Sequence, residues 1–239
     1  MSNIKYQLVL ARHGHTEWNL TNRFTGWSDV SLSKIGLEEA KQIGLRLNAL
    51  DYSFDEVHLS ELKRTRQTLE SILTQFKHPT IPVYTSWRLN ERHYGDLQGR
   101  NKQEIFELWG KEKSYQWWRG YFNAPPPLKE DDPRHPRYDL KYKEIDPKLL
   151  PASESLELCT QRLKPYWKNV LVPKIQSGRR ILIISHGNTL RSLRMLVENI
   201  SSKNIEKVEI AFDTPFIYHF DKQMNLSDIE WLEESVQYS

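Results

Sequence analysis

Two apolar runs in this chain stop at the same pair of residues. YQLVLA, residues 6–11, runs into Arg12-His13-Gly14, and Ile181 to Ile184 run into Ser185-His186-Gly187. Short apolar runs that halt at turn residues read as buried strands. A buried strand delivers its last residue to a fixed place. A glycine just beyond it lets backbone amides approach a ligand or lets the chain turn sharply. Two such strands can bring two imidazoles to one crevice, with Arg12 adding a permanent positive charge beside the first. Arginine suits phosphate because its planar donors grip two oxygens together. A purely structural role for one or both histidines stays open on this pattern alone.

The rest of the chain alternates strand and helix patterns. After the strand at 5–11, SKIGLEEAKQIGLRLNAL (33–50) carries apolar residues at 37, 40, 43, 47 and 50 on one helical face. Ser33 is its N-cap, and Glu38 and Glu39 add to its first turns. Residues 55–59 form a short strand ending at Ser60. KRTRQTLESILTQF reads as a helix with Thr65, Leu69, Ile72, Leu73 and Phe76 inward. Pro79 and Pro82 punctuate its exit, and Ile81 to Tyr84 suit an edge strand. ESLELCTQRLKPYWKNVLVPKI reads as a helix with Leu156, Cys159, Leu163, Trp167 and Leu171 on one side; Pro165 inside it implies a kink or two helices. A strand at 180–184, a helix at 189–199 and a strand at 216–221 follow. IEWL near the end reads as a short strand or a loose tail.

Residues 92–150 differ in texture. They hold three tryptophans, the run Pro125-Pro126-Pro127 and DDPRHPRYD (131–139), with helix at 101–117 and little periodicity afterwards. Loops of this length are usually functional or disordered, and the aromatic content argues for an ordered cap over a site. Alternating strands and helices imply a mainly parallel sheet covered on both faces. In such sheets the ligand crevice lies at the carboxyl ends of the strands, where His13 and His186 fall.

Composition narrows the function classes. The 34 Lys and Arg are offset by 31 Asp and Glu, a net charge of +3 with no long basic block, which fits a small anionic substrate and not nucleic acid. The one cysteine, Cys159, excludes an internal disulfide and a cysteine-built metal site. HExxH and CxxC are absent, and Arg12 beside His13 opposes a bound cation, so no metal is expected. No apolar run approaches the roughly eighteen residues of a membrane span, and the N-terminus lacks a signal-peptide pattern. A cytoplasmic protein without membrane partners is the expectation.

LARHGHTEWN resembles the RHG signature of the histidine phosphatase, or phosphoglycerate mutase, superfamily. The likeness to cofactor-dependent phosphoglycerate mutases extends through NRFTGWSDVSLSKIG (22–36), LKRTRQT (62–68), WRLNERHYGDLQGRNKQE (87–104), APPP (124–127), LPASESL (150–156) and SHGNTLR (185–191). It covers nearly the whole chain. It implies an α/β fold, a three-layer α/β/α sandwich with a mainly parallel mixed sheet. Residues 1–239 would be one phosphoglycerate mutase-like domain, with 92–150 as an insertion capping the site.

The resemblance also implies a mechanism. His13 matches the histidine that becomes phosphorylated, and Arg12, Arg64 and His186 match its phosphate pocket. Asn19 resembles a further phosphate donor, and Asn188 is a weaker candidate for the same pocket. Glu91 matches the general acid and base, a role that needs its carboxyl pKa raised by enclosure. Read without the family, Glu91 is a solvated or salt-bridged loop residue flanked by Arg88 and Arg92. Tyr94, Lys102 and Arg119 match substrate contacts, and Thr25 and Gly26 resemble contacts on the other wall. The implied reaction interconverts 3-phosphoglycerate and 2-phosphoglycerate, a small phosphorylated three-carbon acid. It is primed by 2,3-bisphosphoglycerate, needs no metal, and takes place in a homodimer.

Three departures bear on that reading. His15 stands where the family has Glu or Gln; it is neutral, or adds positive charge, or points away. Arg119-Gly120 stands where the family has an Arg pair, so one carboxylate anchor is missing unless Lys113, Arg134 or Arg137 compensates. AFDTP (211–215) stands for PTGIP, with Asp213 replacing a glycine. Two other functions compete: a phosphohistidine phosphatase acting on bisphosphoglycerate or another small phosphate ester, and a regulatory protein that binds a phosphorylated ligand with little turnover.

Overall fold

The computed structural model describes residues 5–77 and 80–233. Pro79, expected to end a helix, lies outside the described residues. The strands are β1 (Tyr6–Arg12), β2 (Glu56–Leu59), β3 (Val83–Thr85), β4 (Ile181–Ser185), β5 (Phe216–Phe220) and β6 (Leu226–Trp231). The helices are α1 (Glu17–Leu20), α2 (Lys34–Ala49), α3 (Lys63–Leu73), α4 (Lys102–Trp109), α5 (Lys111–Arg119), α6 (Leu156–Tyr166), α7 (Val172–Gln176), α8 (Gly187–Glu198) and α9 (Ser202–Ile205).

The six strands form one sheet in the order β3-β2-β4-β1-β5-β6. β3, β2, β4 and β1 run parallel, and β5 and β6 are antiparallel. The sheet is therefore mixed and mostly parallel, with β3 at the edge where the sequence pattern put an edge strand. IEWL belongs to a true strand, β6, paired along β5.

Strand alternation explains the layers, because successive side chains point to opposite faces. Leu8 and Leu10 of β1, with Ile181 and Ile183 of β4, pack against Leu163, Ile175, Leu190 and Leu193 from α6, α7 and α8. Val9, Ala11, Leu182 and Ile184 point the other way, onto Ile43 and Leu47 of α2 and Leu69 and Ile72 of α3. The product is a three-layer α/β/α sandwich. No helix among the described residues is long and apolar enough to cross a membrane.

Local details depart from the pattern in three places. The buried face of α2 is Gly36, Ala40, Ile43, Gly44 and Leu47, whereas Leu37 and Leu50 are exposed. Two glycines set this rotation. A Cβ on Gly36 would sit 2.1 Å from the His15 carbonyl oxygen, and one on Gly44 would sit 2.6 Å from that of Ile72. The helix presses backbone to backbone there, which a count of apolar residues does not register. The helix expected at 101–117 is two helices, broken at Gly110, whose φ is +81°. Pro165 neither breaks nor splits its helix: α6 passes through a π-helical turn at Trp167–Leu171 into α7. Proline lacks the N–H that a regular turn needs, and a wide π-helical turn follows two residues on.

Residues 121–155 carry three 3-10 turns, Pro136–Tyr138, Leu140–Tyr142 and Pro147–Leu149. Tyr142 and Leu150 pack with Trp27 and Trp87, while Phe24, Tyr94, Leu97, Ile105 and Trp117 form a further cluster. The segment is thus anchored by aromatic packing around loop residues 24–27.

Candidate active site

β1 and β4 are neighbours in parallel register, with Arg12 opposite Ser185. The next residue of each is a histidine, so the register alone sets His13 beside His186. Their ring centroids are 4.9 Å apart. The glycines that follow are explained by packing. A Cβ on Gly14 would lie 2.1 Å from the Gly36 carbonyl oxygen. Gly187 leaves room for the Arg12 guanidinium, 3.3 Å from where a Cβ would stand. Close approach of chain to chain, rather than a sharp turn, is what these positions require.

His13 is buried, and its Nδ1 lies 2.7 Å from the carbonyl oxygen of Gly14. A carbonyl only accepts, so Nδ1 carries the proton and Nε2 keeps its lone pair. Burial, then Arg64 and Arg12, hold the His13 pKa well below the ordinary imidazole value. His186 is depressed in the same way, by burial first and then by Arg64 and His13. Arg64 Nε donates to His186 Nδ1 at 3.2 Å, which leaves Nε2 as the donor to Ser60 Oγ at 2.8 Å. Arg64 is further fixed by the carbonyls of Gly26 and Ser28, at 2.7 and 3.0 Å. Two neutral imidazoles and two guanidinium groups, that of Arg64 buried, thus share one corner of the molecule.

A cavity of about 260 Å³ opens on this corner. Arg12, His13, Asn19, Thr25, Gly26, Arg64, Glu91, Tyr94, Lys102, Arg119 and Asn188 line it. His186 lies behind the wall, fully buried, and reaches the cavity through His13 and Arg64. Every residue that the resemblance matched to catalysis or substrate binding therefore comes to one place. Asn19 is oriented by a capping box at Thr16: its Oδ1 accepts from Thr16 N and Oγ1, leaving the amide N–H groups for another acceptor. Two buried donors on the cavity wall, Arg12 Nε and Thr25 Oγ1, have no hydrogen-bond partner. Buried donors are seldom left unpaired, and an anion's oxygens would satisfy both.

Glu91 is 8 % exposed, so it is not a solvated loop residue. Its Oε1 accepts from the backbone N–H of Arg92 (2.8 Å) and of Asn188 (3.2 Å). Neither flanking guanidinium binds it: that of Arg88 donates to the Arg162 carbonyl, and that of Arg92 to those of Glu154, Gly120 and Asn123. The Glu91 carbonyl is gripped from behind by Trp27 Nε1 at 2.5 Å and Arg162 Nη2 at 3.1 Å. Arg162 in turn forms a buried salt bridge to Glu154 at 2.6 Å. Sequence reasoning missed Arg162 and Glu154, which lie far along the chain and touch the site only through backbone.

Lys102 sits above Trp118, 4.9 Å from its ring centroid, and burial followed by repulsion from Arg12 lowers its pKa to about 8. Tyr94 Oη accepts from Asn188 Nδ2 at 2.9 Å. Arg119 faces the cavity but is already engaged, with the carbonyls of Glu206 and Val208 and with Glu209 at 2.9 Å. Arg23, Phe24, Trp118, Arg191, Glu209, Ile210 and Phe212 also line the cavity and were not anticipated as site residues. Arg191 lay within the quoted SHGNTLR stretch and Phe212 within AFDTP; for Glu209, which stands in a loop, no sequence signal marked the place.

The three departures resolve in different ways. His15 does not point away: it lines the cavity, stacks on Phe212 and sets Nδ1 2.7 Å from Glu39. Lys113, Arg134 and Arg137 do not compensate for Gly120. Lys113 lies over Trp109 and Trp117, Arg134 pairs with Asp96 and Asp132, and Arg137 pairs with Glu130. Each is held by a local partner outside the cavity. Asp213 is not part of the cavity wall; its carbonyl accepts from Arg46 and its carboxylate from Thr214. No group of three or more His, Cys, Asp or Glu suited to a metal occurs among the described residues.

A neutral imidazole among fixed cations, at the carboxyl ends of the parallel strands β1 and β4, suits phosphoryl transfer. The chain belongs to the histidine phosphatase superfamily (branch 1), whose pattern it matches over residues 8–133. Solved structures share the fold at low identity. YhfR of Bacillus stearothermophilus is 22% identical, with a TM-score of 0.69 over 92% of this chain and 94% of that one. The alpha-ribazole phosphatase of Shigella flexneri is 20% identical, with a TM-score of 0.68 over 97% and 99%. A mycobacterial glucosyl-3-phosphoglycerate phosphatase is 20% identical, with a TM-score of 0.67 over 95% of each chain. The chemistry common to this superfamily is phosphoryl transfer from a small phosphate ester.

Proposed function

We propose that the protein is a phosphoglycerate mutase that interconverts 3-phosphoglycerate and 2-phosphoglycerate through phosphorylated His13. The observation that carries this reading is the size and charge of one cavity. About 260 Å³, lined by Arg12 and Arg64 beside His13 and by Arg23, Lys102, Arg119 and Arg191 beyond, suits a small substrate with a second anionic group. The unpartnered donors Arg12 Nε and Thr25 Oγ1 fit the same expectation.

In this reading His13 Nε2 attacks phosphorus in line as the ester P–O bond breaks. Arg12 and Arg64 hold the equatorial oxygens, where charge sits in the transition state, while His186, behind the wall, accepts from Arg64 Nε and keeps that guanidinium in place. Glu91 gives its proton to the departing alkoxide. In the reverse transfer Glu91 takes the proton of the accepting hydroxyl, whose oxygen attacks phosphorus as the P–N bond breaks. Isomerisation needs two such transfers with the ligand turned between them. 2,3-Bisphosphoglycerate supplies the phosphoryl group that primes His13; Arg12, Arg64, Asn19, Lys102 and Arg119 would hold it. Residues 92–150, as a cap, would keep water from phospho-His13.

A second reading is a phosphatase on the same phosphohistidine. Glu209 favours it: a carboxylate on the cavity wall already pairs with Arg119, so the anchor for a substrate carboxylate is weakened. Relatives of similar fold described as phosphatases point the same way. The test is to supply 3-phosphoglycerate with trace 2,3-bisphosphoglycerate and follow 2-phosphoglycerate and free phosphate together. Isomer with little free phosphate supports the mutase. Free phosphate without isomer selects the phosphatase.

A further inference from the structure

Phe212 touches the phosphate-binding machinery without a part in the roles above. The Arg12 guanidinium carbon lies 3.5 Å from its ring centroid. The His15 ring is stacked on the same ring, at 3.6 Å between centroids and 26° between planes. Two groups so close to one centroid cannot share a face, so Phe212 is sandwiched between them. Both ends of the sandwich are pinned. Glu39 accepts from the His15 backbone N–H at 2.8 Å and pairs with its Nδ1 at 2.7 Å. Arg12 Nη1 donates to the Ile210 carbonyl at 2.6 Å. The ring also meets His13 edge-on at 6.1 Å.

Arginine grips phosphate through a planar fork, so the tilt of that plane matters as much as its charge. Arg12 is held by a carbonyl at one nitrogen and by an aromatic face beneath the plane, while its buried Nε has no partner. We infer that Phe212, clamped by His15, is a positioning residue for Arg12. It fixes the guanidinium plane by a cation–π contact so that the remaining donors stand ready for a phosphoryl oxygen. This rests on the reading of Arg12 and His13 as phosphate ligands, and it holds for mutase and phosphatase alike. The fixed stack also supplies an apolar wall beside His13.

The test is the affinity of inorganic phosphate, measured calorimetrically on the full chain. Phe212→Ala and Phe212→Leu should weaken binding about fivefold to tenfold, the range of a partly desolvated cation–π contact. Phe212→Tyr keeps the aromatic face and should bind as wild type does. Leucine preserves apolar bulk, so it separates the π contact from packing. In an Arg12→Lys background, Phe212→Ala should cost less than about twofold more, because its effect acts through the guanidinium plane. Additive losses, or full affinity in Phe212→Leu, would overturn the positioning role. Wild type that binds phosphate no differently from Phe212→Ala also overturns it, and leaves the phosphate-site reading intact. Wild type that binds no phosphate at all overturns both.

Discussion

The proposed nucleophile, His13, and the lysine across the cavity have opposite relations to their protons. His13 is kept neutral by burial and by two guanidinium groups, the state the proposed attack needs, throughout the neutral range. Lys102 must be charged to hold an anion, and its pKa is lowered to about 8, by burial first. Its cation is present below that value and lost above it. With free enzyme, kcat/KM for an anionic phosphate ester should therefore fall as pH rises through about 8. Lys102→Arg, charged at every accessible pH, should remove that alkaline limb; an unchanged limb would assign it to another group. The strand-end histidines were legible from the sequence because a buried strand has only one place to put its last residue. Glu91 was not legible without the family resemblance. Its burial depends on Trp27 and Arg162, which reach it from distant parts of the chain.

At the scale of elements, the loop carrying Glu91 is braced by α6. Arg162 donates to the carbonyls of Trp87, Arg88, Asn90 and Glu91 while its ion pair with Glu154 stays buried. Glu154 also accepts from the His93 backbone N–H. Removing one partner leaves a buried charge alone, which typically costs about 3–5 kcal/mol. Arg162→Met should lose that much stability in urea unfolding and lower kcat with it. Glu154→Gln added to Arg162→Met should restore part of the stability, since the stranded charge is gone. A neutral Arg162→Met would mean the loop is braced elsewhere. The helix boundaries teach a related lesson. α2 rotates to bury Gly36 and Gly44, and this choice depends on backbone contacts with β1's exit and α3 that no apolar period encodes.

For the whole molecule, one sheet order does most of the work. β1 sits between β4 and β5, so the two His-Gly corners are adjacent and deeply covered. That arrangement was legible from strand–helix alternation; of the loop at 206–215 that closes over it only AFDTP was marked, through the resemblance, because loops carry no period. Deep cover has a consequence for acid stability. Burial is the leading cause that lowers the pKa values of His13, His58, His93 and His186, with His93 pushed down to about 3. In the unfolded chain these imidazoles take protons as pH falls through about 6.5, while the folded chain resists. Stability from neutral burial is thus complete above about 6.5 and is lost as pH falls toward the folded-state values, by up to about 1.4 kcal/mol per unit for each fully depressed histidine. Melting temperature should drop steadily between pH 7 and 5.5. A flat profile across that window would contradict the depressed values.

The most direct test of phosphoryl transfer through His13 is a trapping experiment. Protein is mixed with 2,3-bisphosphoglycerate bearing labelled phosphate, quenched in alkali, digested, and the label mapped. An acid-labile phosphohistidine at His13, absent from His13→Ala and chased by 3-phosphoglycerate, is the predicted result. Wild-type turnover with no label at His13, or with label on another residue, would contradict the account.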